Sequence, residues 1–397
     1  MNATAVKPVI SNFDYAKLLD SLPIFGGTQP TQMGIASTGD VLVSRTVDNV
    51  DLNEIWESVV AGFEEWNSHR TQLSDLLAYR TTVPGEAVPQ GISSPPMERL
   101  TEYGVPNAAN VPASAYILGF EINDFGLRSA FTWQALRRMT AEQVYAHINT
   151  VFHSDNRLVT GTILKRLFDP AQKFNDEGFA CKGLFNLDGQ IPAPYLGNTF
   201  GDSTHYWKSG AAQIDSGDIE DAIKTIRAKG YGVDASSQLL ILASSIESEN
   251  IQSWRQGLES RPSSGIIAKH SFIPSKKAPA YLQPDNIIGE PVSGDFHGIE
   301  VLGSYGPAWL VESAFIPAGY VAVVATFGPN NERNCIGVRE HPIEVYRGLL
   351  AVPGLGPYPI TDSTYIRTFG TGVRQRGAAV AIQIGTGSTY VAPTIAT

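Results

Sequence analysis

Apolar and polar positions repeat with two different periods along this chain, and each change of period marks an element. From Asp51, apolar side chains recur every three or four residues (Leu52, Trp56, Val59, Phe63, Trp66, Leu73, Leu77), which is the spacing of one helix face. Asp51 and Glu54 stand at capping-box spacing, so one helix is predicted from Asp51 to about Leu77. Thr140 and Gln143 repeat the signal ahead of Val144, Ile148, Val151, Phe152, Leu158, Val159, Ile163 and Leu167. Asp155 interrupts that stripe and Pro170 stops it, predicting a long helix over about 140–168. A third helix, about Asp218–Lys229, buries Ile219, Ile223 and Ile226 and ends at Gly230, a suitable left-handed terminator.

Period two appears in Ser114–Asn123, where Tyr116, Leu118, Phe120 and Ile122 alternate with the residues between them. Paired with Met97–Tyr103, this run predicts a long hairpin within 82–132, and Pro84, Pro89, Pro95 and Pro96 exclude a helix over its start. Two strands cannot form a core alone, so the hairpin needs a surface on this chain or on a neighbouring subunit. Further strands are predicted at Gln238–Ala243, Tyr320–Phe327, Gly348–Val352, Tyr365–Phe369 and Ala378–Ile384, with a Pro/Gly loop at Pro353–Ser363. Residues 1–50 lack periodicity and read as an extended arm.

Composition changes the picture in one respect. Only 17% of the 397 residues are charged, against about 25% in an ordinary soluble chain, which points to surface covered by other subunits. The net charge of −10 and the absence of a basic arm argue against ordinary nucleic-acid binding, which draws its affinity from Lys and Arg. The two charge-poor stretches, Ser313–Asn331 and Gly377–Thr397, are too broken by polar residues and glycine to span a bilayer. No secretory signal opens the chain, and Cys181 and Cys335 are too few for a disulfide framework.

Candidate chemistry is sparse. No nucleophile elbow, zinc-protease motif or Walker sequence occurs. Gly370–Gly377 has the look of a phosphate loop, but it lies between strands instead of leading into a helix, so it reads as a turn or bulge. His147 and His153 lie six residues apart, off a common helix face; His205 near Asp202, and His341 between Glu340 and Glu344, read as packing residues before ligands. The Arg residues have the best case for a specific role, because guanidinium forks suit carboxylates across interfaces.

The order of parts (arm, hairpin, long helix, mixed α/β segment, terminal strands around a Pro/Gly loop) resembles the major capsid proteins of tailed bacteriophages, the Johnson (Hong Kong 97) fold. Tyr103–Met139, Thr204–Gly232, Val338–Leu349 and Tyr365–Ile384 are similar in text to segments of actinobacterial phage capsid proteins. The resemblance implies an α+β Hong Kong 97-like chain divided into an N-arm (1–50), N-terminal helix (51–81), E-loop (82–132), P-domain spine helix (133–175), A-domain (176–335) and C-terminal P-domain strands with the P-loop (336–397). It implies a structural protein and not an enzyme, without cofactor or metal, assembling as pentamers and hexamers into an icosahedral shell around double-stranded DNA. The implied partners are further copies of the chain, portal, scaffolding and decoration proteins, and DNA held without sequence-specific binding, with no membrane. Synthesis in the host cytoplasm and residence in the virion follow.

Subunit-interface candidates under this reading are Arg99, Tyr103, Tyr116, Phe120, Arg137, Arg138, Pro353, Tyr358, Asp362, Arg367, Arg374 and Arg376. Some relatives crosslink subunits through an E-loop Lys. No Lys occurs here between Lys17 and Lys165, so a shell without that bond is expected. A chain opening at Met1 carries the expectation that any scaffold is a separate protein. A bend of the long helix and a swing of the E-loop are expected on maturation. An encapsulin-type compartment on the same fold, and a soluble α/β enzyme, are the alternatives.

Overall fold

Side-chain caps set where the helices begin. Asp51 accepts the Asn53 amide at 2.8 Å and starts the helix Leu52–Ser68. At the second site the Gln143 amide donates to the Thr140 hydroxyl (3.3 Å) and the Thr140 amide to the Gln143 side-chain oxygen (3.1 Å), a reciprocal capping box. Both Asp48 oxygens accept from the Ala141 amide at 3.1 Å, setting negative charge at the positive end of the helix Ala141–Phe168. Buried Arg166 lies in that helix's last turn and donates to the carbonyls of Ala171 (3.1 Å) and Cys181 (3.2 Å). Asp215 caps Ser216–Ala228 through the Asp218 amide, and Gly230 at φ 88° ends it.

The structure is a computed structural model that describes residues 43–68, 72–90, 97, 99, 102, 104, 115–277, 291–354 and 358–397. Most of the predicted arm, most of the predicted strand Met97–Tyr103 and the candidate Tyr103 itself lie outside the described residues. Contacts divide the chain into two units, one of residues 1–68, 125–153 and 349–367, the other of 69–124, 154–348 and 368–397.

In the first unit, Leu52, Ile55, Val59 and Phe63 pack with Val144, Ile148 and Val151 and with Leu349, Tyr358, Ile360 and Tyr365. The Phe63 ring stacks on Tyr365 at 5.4 Å and meets Phe152 at 4.8 Å. Ile55, absent from the predicted stripe, is fully buried, while Trp56 is only partly covered. Leu349–Pro353 pairs antiparallel with Ser363–Arg367. The Asn67 side chain bridges the Leu349 amide (2.8 Å) and carbonyl (2.9 Å), tying this ladder to the first helix.

The second unit holds a seven-stranded mixed sheet in the order Tyr206–Lys208, Ala379–Gln383, Tyr320–Thr326, Gln238–Ala243, Ala308–Glu312, Gly303–Tyr305, Phe272–Pro274. Its central strands carry unbroken apolar runs, Leu239–Ala243 and Val321–Ala325, as expected where both faces are covered. Ala78–Thr81 pairs parallel with Ile336–Glu340, which pairs antiparallel with Phe369–Val373.

Three expectations change. The helix predicted over 51–77 is two helices, Leu52–Ser68 and Gln72–Leu77. Ala115–Gly119 pairs with Gly85–Pro89, a segment whose prolines had masked its strand character. Pro84 precedes that strand and Pro89 is its last residue, so neither interrupts the ladder's interior. Gly370–Val373 continues a strand, and the turn falls only at Arg376–Gly377. No helix among the described residues is long and apolar enough to cross a membrane.

Candidate functional site

The glycines that suggested a phosphate loop form a seat. Gly337 and Gly372 are direct partners in the ladder. A Cβ on Gly337 would stand 2.1 Å from the Phe120 ring, and one on Gly372 2.5 Å from the Gly119 carbonyl oxygen. A Cβ on Gly370 would stand 2.1 Å from the Glu121 carbonyl oxygen. The backbone at 119–121 therefore lies directly on bare sheet, with Phe120 fully buried in the gap.

Polar side chains fix the hairpin base from the flanks. Asn175 donates its amide to the carbonyls of Pro84 (2.8 Å) and Phe120 (3.2 Å). Arg339 donates to the Phe120 carbonyl at 3.2 Å and to Glu177 at 3.0 Å, and this bond holds the Glu177 carboxyl below its usual range. Arg374 grips both oxygens of Glu86 (2.8 and 3.3 Å) while lying over the Tyr79 ring. Gln90 donates to the Arg374 carbonyl (2.8 Å) and accepts the Arg376 amide (2.9 Å). The Tyr116 hydroxyl donates to the Ile191 carbonyl (2.8 Å) and accepts its amide (3.1 Å). A two-stranded element that cannot stand alone is thereby anchored at its root.

Arg376 is 1% exposed. It donates to the carbonyls of Gly183 (2.8 Å) and Leu184 (2.9 Å), to Asp188 (3.0 Å) and to Gln190. Arg374 and Arg376 thus bind carboxylates of their own chain, because the turn carrying them is enclosed by the hairpin root and the 183–190 loop. Within the chain these two candidates therefore serve the hairpin root, Arg374 through Glu86 and Arg376 through Asp188. Phe120 and Tyr358 are likewise buried within the chain, and Tyr116 is committed to Ile191. Asp362 forms an exposed fork with Arg128 (2.8 Å at each oxygen), whose hydrogen bonds lower its carboxyl pKa. Arg99, Arg137, Arg138 and Pro353 are exposed, and Arg367 is half-buried. Sequence reasoning missed Glu86, Gln90, Asn175, Glu177, Asp188 and Arg339, because the partners that tie them to the hairpin root and its supports lie far off in the chain.

The scattered chemical candidates resolve into packing. His205 is fully buried; burial and the nearby Lys229 charge push it down to about 3, and its Nδ1 lies 2.6 Å from the Ala379 carbonyl. Asp202 instead accepts the Gly189 amide. His341 meets the Tyr346 ring, and Glu340 pairs with Arg80. Burial pushes the Cys181 thiol up to about 11, and the Cys335 thiol also upward. Among the described residues no group of three His, Cys, Asp or Glu could hold a metal ion.

No family model and no curated protein matches the chain. A solved chain from Mycobacterium phage Patience is similar, with TM-score 0.66 and 34% identity, covering 92% of this chain and 97% of that one. The asymmetric unit of the bacteriophage PhiM1 mature capsid gives 0.43 at 10% identity, covering 90% and 97%. The holo-SrpI encapsulin complex from Synechococcus elongatus gives 0.38 at 9% identity, covering 84% and 98%. Likeness of this identity and coverage makes the α+β chain a structural subunit of a viral shell. The chain belongs to the major capsid proteins of tailed bacteriophages, with the Johnson (Hong Kong 97) fold. It associates with itself into a shell, and its place is the virion capsid.

Proposed function

We propose that the chain is the repeating subunit of pentamers and hexamers in an icosahedral shell enclosing double-stranded DNA. The observation that supports this most is the hairpin, anchored at its root by Arg374–Glu86, Arg339 and Asn175, yet without a core of its own. The proposed parts are the N-arm (1–50), N-terminal helix (51–81), E-loop (82–132), spine helix (133–175), A-domain (176–335) and terminal P-domain strands (336–397). Arg99, Arg137, Arg138, Pro353, Arg367 and the Arg128–Asp362 fork are the proposed contacts to neighbours. Portal, scaffolding and decoration proteins are proposed partners, and synthesis takes place in the host cytoplasm. DNA is enclosed without sequence readout, in keeping with a net charge of −10.

The shell is held by non-covalent contacts, since no Lys stands between Lys17 and Lys165. Negative-stain microscopy of the purified chain, followed by denaturing gels of the particles, tests both statements. Closed particles that dissolve to a single band are expected. A monodisperse monomer would refute the shell, and covalent ladders would refute the non-covalent assembly.

A further inference from the structure

Two leucines occupy positions that the isolated chain gives no reason to fill with leucine. Leu187 (φ 54°) and Leu196 (φ 46°) adopt the left-handed conformation, which crowds any residue bearing a Cβ. Among the described residues, the other non-glycine residues at positive φ are Asn, Ser and His. Leu196 and Gly197 (φ 84°) form the two central positions of a tight turn closed by reciprocal bonds between Tyr195 and Asn198 (3.0 and 2.9 Å). Both central residues have positive φ, so this is a turn in which Asn-Gly is the favoured pair. Leu196 is nevertheless 80% exposed, Leu187 64% and the intervening Ile191 46%.

The segment that carries them is held firmly. Arg376 and Lys182 grip Asp188, Asp202 accepts the Gly189 amide, Asn186 bridges Thr204, and Tyr116 clasps Ile191 from the hairpin root. Strained backbone, outward apolar side chains and a rigid support together mark a contact made ready in advance. No Lys or Arg occurs from 183 to 204, so phosphate is not what this surface binds. Its attachment to the hairpin root makes it continuous with the proposed inter-subunit arm.

We propose that the 186–198 loop is an assembly contact whose exposed Leu187, Ile191 and Leu196 are buried against a second copy of this chain. This rests on the shell reading above. Each buried leucine is worth about tenfold or more in association.

The test is Leu196→Asn, alone and with Leu187→Asn, in the full chain, with Leu196→Met as the apolar control. Asn suits the left-handed turn, so the thermal midpoint of unassembled subunits should hold or rise. The subunit concentration giving half-maximal assembly should rise about tenfold or more for each replaced leucine, and Leu196→Met should assemble normally. Asn variants that assemble at the wild-type concentration would overturn the contact while leaving the shell intact. Loss of the folding transition would overturn it too, by making the leucines internal supports. Absence of wild-type shells would instead refute the reading on which the contact rests.

Discussion

Arg376→Ala is the sharpest probe of the hairpin root. The guanidinium is 1% exposed and serves two carbonyls, Asp188 and Gln190 while lying over the Phe185 ring. Removing one partner of a buried ion pair costs about 3–5 kcal/mol. Asp188 keeps Lys182 at 2.9 Å and is 24% exposed, which argues for the low end. The Gly183 and Leu184 carbonyls lose their donor, adding about 1–3 kcal/mol each where water cannot replace it. A loss of about 5 kcal/mol follows from the low end of each contribution, a large share of the roughly 5–15 kcal/mol that holds a domain together. Arg376→Lys keeps the charge but not the fork and should lose about half as much.

Urea unfolding of unassembled subunits, followed by tryptophan fluorescence, measures this, and the double variant Arg376→Met with Asp188→Asn should recover at least ~1 kcal/mol over Arg376→Met alone. The pH dependence supplies an independent check. Burial alone would push the Asp188 carboxyl up, but hydrogen bonds from Lys182 and Arg376 outweigh it and hold the carboxyl low. A depressed carboxyl stabilises the fold above its unfolded pKa, about 4, and that share is lost as pH falls through the lower folded value. The gap between wild type and Arg376→Ala should therefore narrow in acid. An Arg376→Ala unfolding free energy within ~0.5 kcal/mol of wild type at pH 7 would refute the clamp.

Three further outcomes are expected. Asp218 is pushed up to about 7 by burial and the adjacent Asp215 charge, so its share of stability is full below about pH 4 and lost as pH rises through 7. Asp218→Asn should then gain about 2 kcal/mol at pH 8, after discounting for partial exposure, and show no gain near pH 4 in thermal melts. Buried neutral His205 stabilises the fold above about pH 6.5, and this share is lost as pH falls towards 3; His205→Phe should flatten the acid limb of the stability profile, and an unchanged limb would count against it. Gly372→Ala should cost about 1–3 kcal/mol by driving a methyl into the Gly119 carbonyl and the Phe120 ring, and Phe120→Ala in the same chain should relieve it only in part, because the nearer obstacle is backbone.

What could be read from sequence was whatever is settled within a turn or two of chain. The Thr140–Gln143 box, the helix predicted at about Asp218–Lys229 (observed as Ser216–Ala228) and the Gln238–Ala243 strand depend on neighbours a few residues away, and they appear close to where the pattern put them. The hairpin is different. Its strand 115–119 has an unmistakable alternation, but alternation names a face and not a partner, so the pairing went to the wrong segment. Glu86 and Arg374 are 288 residues apart, a distance over which charge alone chooses nothing. Gly370 and Gly372 stood out by composition, yet glycine marks both turns and close approach, and only the 119–121 backbone lying on them decides between the two. The same ambiguity bears on the leucines. An apolar residue before glycine in a tight turn resembles ordinary loop sequence until its φ and its exposure are known together. A strained residue that also faces water lacks any benefit within one subunit, so its explanation belongs to the assembly that the chain was made to enter.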